Sequence, residues 1–372
     1  MASPLLAVLE ARIAAAADRR DAACLRAERA ALLARHGQLV AARRELASLH
    51  AQHDVRGDAL VSAWLHLADG LALHFGASGA AARDKLGRAL ALGGAAAAPR
   101  VQALSAAWLA QLACLDEDFA STAKWLSHSL AAAASDHHAA RSRAGLVAAQ
   151  AWHWAGRLDM AQPWYRQAHL HATAEGDQAT LGVLMHDRAW LGALHARRAS
   201  LADASRLEEA RAVLAGIDSA GHFGERTGVA LPAPSQRLLR AHALAMLDRH
   251  GEAAPMFVAY LEATPRAGPG GLDGLRCAAL ADLAWCRVNT DAAAEASTLA
   301  CAARDALHDG LRQHQRAFVH GRLAQVYAKL GHADAATHAE RAAAAWHAHA
   351  AAQDRALGLL HEALPPLVAD RA

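Results

Sequence analysis

Small residues recur along this chain at an almost constant spacing, and that spacing limits the possible folds more than any other feature. Each follows a turn and lies early in a segment with helical periodicity. Successive members are separated by 40, 40, 39, 49, 43, 40 and 43 residues. A repeated period near 40 residues predicts tandem helix pairs, because one pair cannot bury its apolar face alone. The members are Ala42, Ala82, Thr122, Ala161, Ala210, Ala253, Ala293 and Ala336.

The segment from about residue 139 to 173 shows the pattern most clearly. Trp152 belongs to a first helix, Gly156 supplies the turn, and Ala161 and Tyr165 lie in a second helix. Small residues let two helices approach closely, and aromatic rings fill the space toward the next pair. Hydrophobic residues make up 54% of the chain but aromatic residues only 5%, so most are the helix formers Ala and Leu. We therefore predict an all-α fold of about eight antiparallel helix pairs.

These features resemble the tetratricopeptide repeat family, in the long-repeat form found in MalT-like bacterial regulators. The resemblance covers roughly residues 20 to 350. The glycine usual in the first helix is replaced here by Ala149 in the fourth unit and by Ala324 in the eighth. The resemblance implies a right-handed superhelical solenoid with a concave groove, formed by a single repeat array over residues 1–372.

Three segments are expected to depart from the regular repeat. Residues 218–234 and 264–274 are rich in Gly and Pro, which predicts loops between units. Residues 352–364 are expected to form a C-terminal capping helix. That helix is more apolar than a solvent-facing cap should be, which suggests self-association through its leucines. These leucines are Leu357, Leu359, Leu360 and Leu364.

Charge and cysteine content argue against several classes of protein. The chain has 38 basic and 36 acidic residues, and a nucleic-acid-binding protein normally has a clear positive excess. Its five cysteines form an odd set without a CxxC pair, which is typical of a reducing compartment. No signal peptide and no apolar run long enough to span a membrane are apparent. We therefore expect a cytoplasmic protein that binds neither nucleic acid nor membranes.

No catalytic or cofactor motif stands out. His50 and His53 have ligand spacing on a helix, but no third ligand completes a metal site. The glycine-rich segment Gly268–Gly271 lacks the Lys and Ser/Thr of a phosphate-binding loop, and no strand precedes it. We therefore expect no metal, no cofactor and no enzymatic activity.

The resemblance implies that first helices line the concave groove, through residues beside the packing positions. A mixture of amide, cationic and aromatic side chains there is suited to an extended peptide. The leading interpretation is a non-catalytic scaffold or adaptor that binds a peptide or protein partner. The alternative is a sensor of a small ligand or peptide, as in MalT-like regulators, although no output domain is visible. The predicted partner-binding residues are Gln111, Arg143, Gln150, His153, Trp154, Gln325 and Lys329.

Overall fold

A computed structural model describes residues 3–52, 57–76, 78–201, 207–229, 233–264 and 272–365. Within these ranges the secondary structure consists of seventeen α-helices, and no strand is present. The all-α prediction is therefore confirmed for the described part of the chain. The helices are α1 (Pro4–Ala14), α2 (Arg19–Arg35), α3 (Leu39–Gln52), α4 (Ala59–Phe75), α5 (Gly79–Ala95), α6 (Pro99–Leu115), α7 (Phe119–Ala132), α8 (His138–Trp154), α9 (Leu158–Glu175), α10 (Gln178–Leu201), α11 (Leu207–Thr227), α12 (Ala233–Met246), α13 (His250–Ala263), α14 (Leu272–Val288), α15 (Ala293–Asp305), α16 (Gln313–Lys329) and α17 (Ala335–Ala363).

After α1, the described helices form eight consecutive pairs, from α2 and α3 to α16 and α17. The fourth residue of each second helix is buried against its own pair. It is the predicted small residue in the first six pairs. In the last two pairs the predicted Ala293 and Ala336 are exposed, and the fourth residues are instead Ala296 and His338. The predicted register of these two pairs was therefore wrong, because several alanines compete for the position there.

The first helices carry a matching series of buried residues, most of them small. Each lies twelve positions before the buried fourth residue of the second helix. Gly70 shows why these residues are small. A Cβ added to Gly70 would lie 2.8 Å from Leu86 Cγ and 3.3 Å from the carbonyl oxygen of Ala82. The two helices of a pair are therefore in contact at backbone distance. Members of this series are Ala30, Gly70, Ala110, Ala149, Ala241 and Ala284.

In several pairs, the turn between the two helices contains a residue in the left-handed backbone conformation. Gly156, between α8 and α9, has φ +80°, which glycine adopts without steric penalty. In the corresponding turns of the third, sixth and seventh pairs, Glu117, Asp248 and Asp291 adopt φ values between 58° and 60°. The turn geometry is therefore conserved along the chain even where its glycine is not.

Contacts divide the chain into two compact units. Unit 1 comprises Met1–Leu184, Phe223–Ala230 and Arg355–Ala372, and unit 2 comprises Met185–His222 and Leu231–Asp354. In unit 1 the first helices α2, α4, α6 and α8 contact one another in succession, and in unit 2 α12, α14 and α16 do so. The region expected to be one array is thus built from the same kind of helix pair in both units.

The structure describes the three segments expected to be irregular to different extents. Residues 218–227 belong to α11, because its buried stripe of Ala210, Val213, Ile217 and Ala220 continues the helical period into the glycine-rich part. The predicted loop 218–234 is therefore corrected over 218–227, while residues 230–232 lie outside the described ranges. Of the predicted loop 264–274, residues 265–271 lie outside the described ranges, and α14 begins at Leu272. The predicted cap at 352–364 is the end of the 29-residue helix α17.

The C-terminal leucines are packed inside unit 1. Leu360 and Leu364 are buried, in the same cluster as Trp152, whose exposed fraction is 1%. Leu357 and Leu359 are partly buried against that cluster. The apolar surface that suggested self-association is therefore largely used within the chain.

Candidate functional site

Three of the predicted partner-binding residues meet in unit 1, between α6 and α8. Gln111 Nε2 donates a hydrogen bond to Gln150 Oε1 at 3.1 Å. Arg143 Nη1 donates to Gln111 Oε1 at 3.2 Å, and its Nη2 lies 3.4 Å from Thr180 Oγ1. Gln111 lies on α6, and Arg143 and Gln150 lie on α8. Their bonds connect α6, α8 and α10.

The network continues around Trp108, which the sequence did not single out as a site residue. The guanidinium carbon of Arg143 lies 4.1 Å from the centre of the Trp108 ring, and that of Arg35 lies 5.9 Å away. Both distances allow cation–π attraction. Arg35 also donates to Thr180 Oγ1 at 2.7 Å and forms an ion pair with Asp177.

Asp177 is a buried carboxylate at the start of α10. Burial favours the neutral acid, but the attraction of Arg35 and hydrogen bonds from Arg35 and Thr180 outweigh it and lower the pKa of Asp177 to about 2. The Thr180 amide donates to Asp177 Oδ1 at 3.0 Å, which caps the helix. The sequence signal for this helix cap is the aspartate itself, three residues before Thr180, because aspartate is a common N-cap residue. The contact with Arg35 spans 142 residues and left no such signal.

His153 and Trp154 lie at the end of α8 but have different surroundings. His153 is 4% exposed, and its Nδ1 lies 3.0 Å from the Tyr165 hydroxyl oxygen. The Trp154 ring packs on Phe119, with ring centres 4.4 Å apart, and remains partly exposed. The neighbouring Trp152 is fully buried.

Gln325 and Lys329 lie on α16, in unit 2. Gln325 Oε1 accepts a hydrogen bond from Arg322 Nη1 at 2.6 Å. Both Arg322 and Lys329 lie over the Trp285 ring, at 5.1 and 5.0 Å from its centre. Lys329 is exposed and also bonds the side-chain oxygen of Asn289. This arrangement again places cations over a tryptophan of a neighbouring first helix.

The centre of unit 2 holds a carboxylate that the sequence did not distinguish. Asp282 on α14 accepts hydrogen bonds from Arg197 Nη2 at 2.6 Å and from Arg322 Nε at 2.7 Å. His242 Nδ1 lies 2.9 Å from Asp282 Oδ2, without the alignment of a regular hydrogen bond. Burial disfavours the ionised carboxylate, yet the two arginines hold the pKa of Asp282 far below its usual range.

The burial of the predicted residues limits how a partner could reach them. Gln111 and Arg143 are each 5% exposed, and their polar groups are bonded to other helices. Their visible role is to join neighbouring first helices. The ends of some first helices are more exposed.

A row of apolar side chains lies at such ends in unit 1. Phe75 is the last residue of α4, Leu115 of α6 and Trp154 of α8, at steps of 40 and 39 residues. Phe75 is 38% and Leu115 48% exposed. Helices two apart in a series of antiparallel pairs run in the same direction, so these ends lie at one edge. We name Phe75, Leu115 and Trp154 the edge row.

In the described ranges, no three or more His, Cys, Asp and Glu side chains are grouped so that they could hold a metal ion. Among the helices that the structure describes, none combines the length and apolar composition needed to cross a membrane.

No model of a known protein family matches the chain, and no curated protein is significantly similar to it.

Proposed function

We propose that the chain is a non-catalytic scaffold of the tetratricopeptide-repeat kind, which binds an extended segment of a partner protein. The edge row is the observation that supports this role most directly. It offers apolar surface at the same position of three successive first helices. The hydrogen bonds among Gln111, Arg143 and Gln150 tie two of those helices together and keep the row in place.

The spacing of the edge row suggests the form of the partner segment. Packed helices lie about 8–10 Å apart, and an extended chain rises about 3.3 Å per residue. One step of the row therefore corresponds to roughly three residues. A polyproline II segment has about three residues per turn and rises about 3.1 Å per residue, so every third side chain faces the same way. We propose a partner segment with an apolar side chain at every third position.

Two labelled peptides of identical composition test this proposal by fluorescence polarisation. One carries leucine at every third position within a proline-rich sequence, and the other carries leucine at every second position. The first is expected to bind at least tenfold more tightly. Equal affinities, or no binding of either peptide, would contradict the proposed segment.

Variants of the protein locate the binding site. A buried leucine contributes about 1.5–3 kcal/mol, so Leu115→Arg should weaken binding of the first peptide by tenfold or more. Leu170 on α9 is 61% exposed and lies outside the edge row. Leu170→Arg is the matched control and should leave the affinity unchanged. Equal effects of both substitutions would place the binding surface elsewhere.

A cavity in unit 1 favours the sensing alternative as a second candidate. Its volume is about 430 Å³, and its walls include Glu10 of α1 and Arg44 of α3. A carboxylate and a guanidinium facing one cavity are suited to a small zwitterion. A panel of free amino acids tests this candidate, since a bound ligand raises the melting temperature. The shift should disappear in Arg44→Gln, and no shift with any member would argue against this candidate.

A further inference from the structure

We propose that a cavity in unit 2 binds a small phosphate-type dianion, such as inorganic phosphate or a phosphomonoester. The cavity lies where α15 ends and where α16 and α17 pass close to it, and its volume is about 240 Å³. Three arginines and two histidines line it, with one acidic residue. These six residues are Arg304, Arg316, Arg341, His308, His320 and Asp309.

The charges that face this cavity do not balance. Among the lining residues, three guanidinium groups oppose the single carboxylate of Asp309, and Asp305, outside the lining, pairs with Arg304. The positive charge that remains favours an anion. The planar fork of an arginine also matches the oxygens of a phosphate, to which it can donate two parallel hydrogen bonds.

The existing ion pairs of these arginines are weak. Arg304 bonds Asp305 at 3.0 Å, and the Asp305 side chain is 67% exposed. Arg316 lies 3.4 Å from Asp309, whose side chain is fully exposed. Exposed pairs of this kind contribute little to stability, so a dianion can compete for the guanidinium groups. Arg341 forms no hydrogen bond or ion pair within the ranges that the structure describes.

Arg316 reaches the cavity from near the start of α16. The first turn of this 17-residue helix contains no acidic residue that could neutralise Arg316 locally.

Two histidines line the cavity beside the arginines. Burial and then the charges of His338, Arg341 and Arg316 lower the pKa of His320 to about 4, so its ring is neutral at pH 7. His320 Nδ1 lies 2.9 Å from His338 Nδ1, so one of these nitrogens donates and the other accepts. His308 Nδ1 accepts from the Gly310 amide at 3.2 Å, which leaves the ring proton of neutral His308 on Nε2.

The size of the cavity restricts the ligand. Cavities that hold drug-sized molecules usually measure about 300–1,000 Å³. A volume of about 240 Å³ fits phosphate or a small phosphomonoester better than a larger molecule. The site is independent of the edge row, because it lies in unit 2.

Isothermal titration of the full chain with inorganic phosphate, at constant ionic strength set by chloride, tests the proposal. Saturable binding is expected, with about tenfold weaker affinity in Arg341→Gln because one charged donor is lost. Arg341 is exposed, so this variant keeps the fold. Arg355→Gln, which removes an exposed arginine of the same helix outside the cavity, should bind as the unchanged chain does.

A second titration with glycerol phosphate distinguishes the source of the ligand. Tighter binding of glycerol phosphate would support a phosphomonoester, and tighter binding of inorganic phosphate would support the free ion. Absence of saturation with both probes would overturn the proposal. So would an equal effect of Arg341→Gln and Arg355→Gln, since the binding would then not involve the cavity.

Discussion

Replacing Asp282 by alanine should strongly destabilise unit 2. Asp282 is 1% exposed, and the two arginines that bond it, Arg197 and Arg322, are each 6% exposed. The substitution would leave two buried guanidinium groups without their carboxylate. Hydrogen bonds to charged groups contribute about 1.5–3 kcal/mol each, so loss of both amounts to about 3–6 kcal/mol. Breaking a buried ion pair typically costs about 3–5 kcal/mol, which agrees with this figure.

Urea unfolding followed by circular dichroism at pH 7 measures the free energy of unfolding. Glu208→Ala is a matched control in unit 2, because Glu208 pairs with Arg211 at 2.6 Å but its side chain is 84% exposed. The control should lower the free energy of unfolding by no more than about 1 kcal/mol. If Asp282→Ala lowered the free energy of unfolding no more than Glu208→Ala does, the claim that Asp282 stabilises the buried arginines of unit 2 would be refuted.

A further variant separates the effect of unpaired charge from that of lost volume. Asp282→Ala combined with Arg197→Met and Arg322→Met removes the orphaned charges while keeping most of the side-chain volume. It should be more stable than Asp282→Ala alone, because buried charges without a partner cause most of the loss. Equal stability of the two variants would show that the lost contacts, rather than the charges, matter.

Two other predictions concern pH and backbone packing. Burial, followed by Arg197, lowers the pKa of His242 to about 4, below the unfolded value of about 6.5. The unfolded chain therefore takes up this proton first as the pH falls. Stability should drop between pH 7 and pH 5 by about 2 kcal/mol from this group, and His242→Gln should show a shallower dependence in urea titrations. Gly70→Ala should lower the free energy of unfolding by about 1–3 kcal/mol, and with it the melting temperature, because the added carbon would meet buried Leu86. Gly87→Ala should raise the free energy of unfolding by about 0.5–1 kcal/mol, since Gly87 lies in α5 with open space beside it.

The sequence predicted the helix pairs because their contact depends on residue size alone. A small residue at the fourth position of a second helix is needed for close approach, and that requirement recurs in each of the first six pairs. The register was wrong in the seventh and eighth pairs, where alanine is too common to mark a position. There Ala296 and His338 are buried while Ala293 and Ala336 are exposed. The loop predicted at 218–234 was wrong over 218–227, because buried Ile217 and Ala220 favour a helix more than the nearby glycines oppose it.

The candidate site was only partly predictable. Sequence spacing placed Gln111, Arg143 and Gln150 on neighbouring helices, but it did not show that they bond to one another and are largely buried. The sequence pattern of a long polar side chain on a first helix is the same whether that side chain faces solvent or another helix. The position of Arg35 over Trp108 depends on contacts of Arg35 with distant parts of the chain, which the local sequence pattern does not reveal.

Each unit contains a buried aspartate that bonds to arginine, and the composition of the core suggests why. Surfaces made mainly of alanine have little relief, so helices packed through them could slip along one another at small energetic cost. Asp177 bonds one arginine of another helix and Asp282 bonds two, and such directional bonds are satisfied in one register only. We propose that these networks select the register of the first helices rather than add net stability. The variant without the Asp282 charges should then unfold less cooperatively, with a smaller dependence of free energy on urea than the unchanged chain. An unchanged dependence, with sharp and well-dispersed amide resonances, would show that alanine packing alone is sufficient to fix the register.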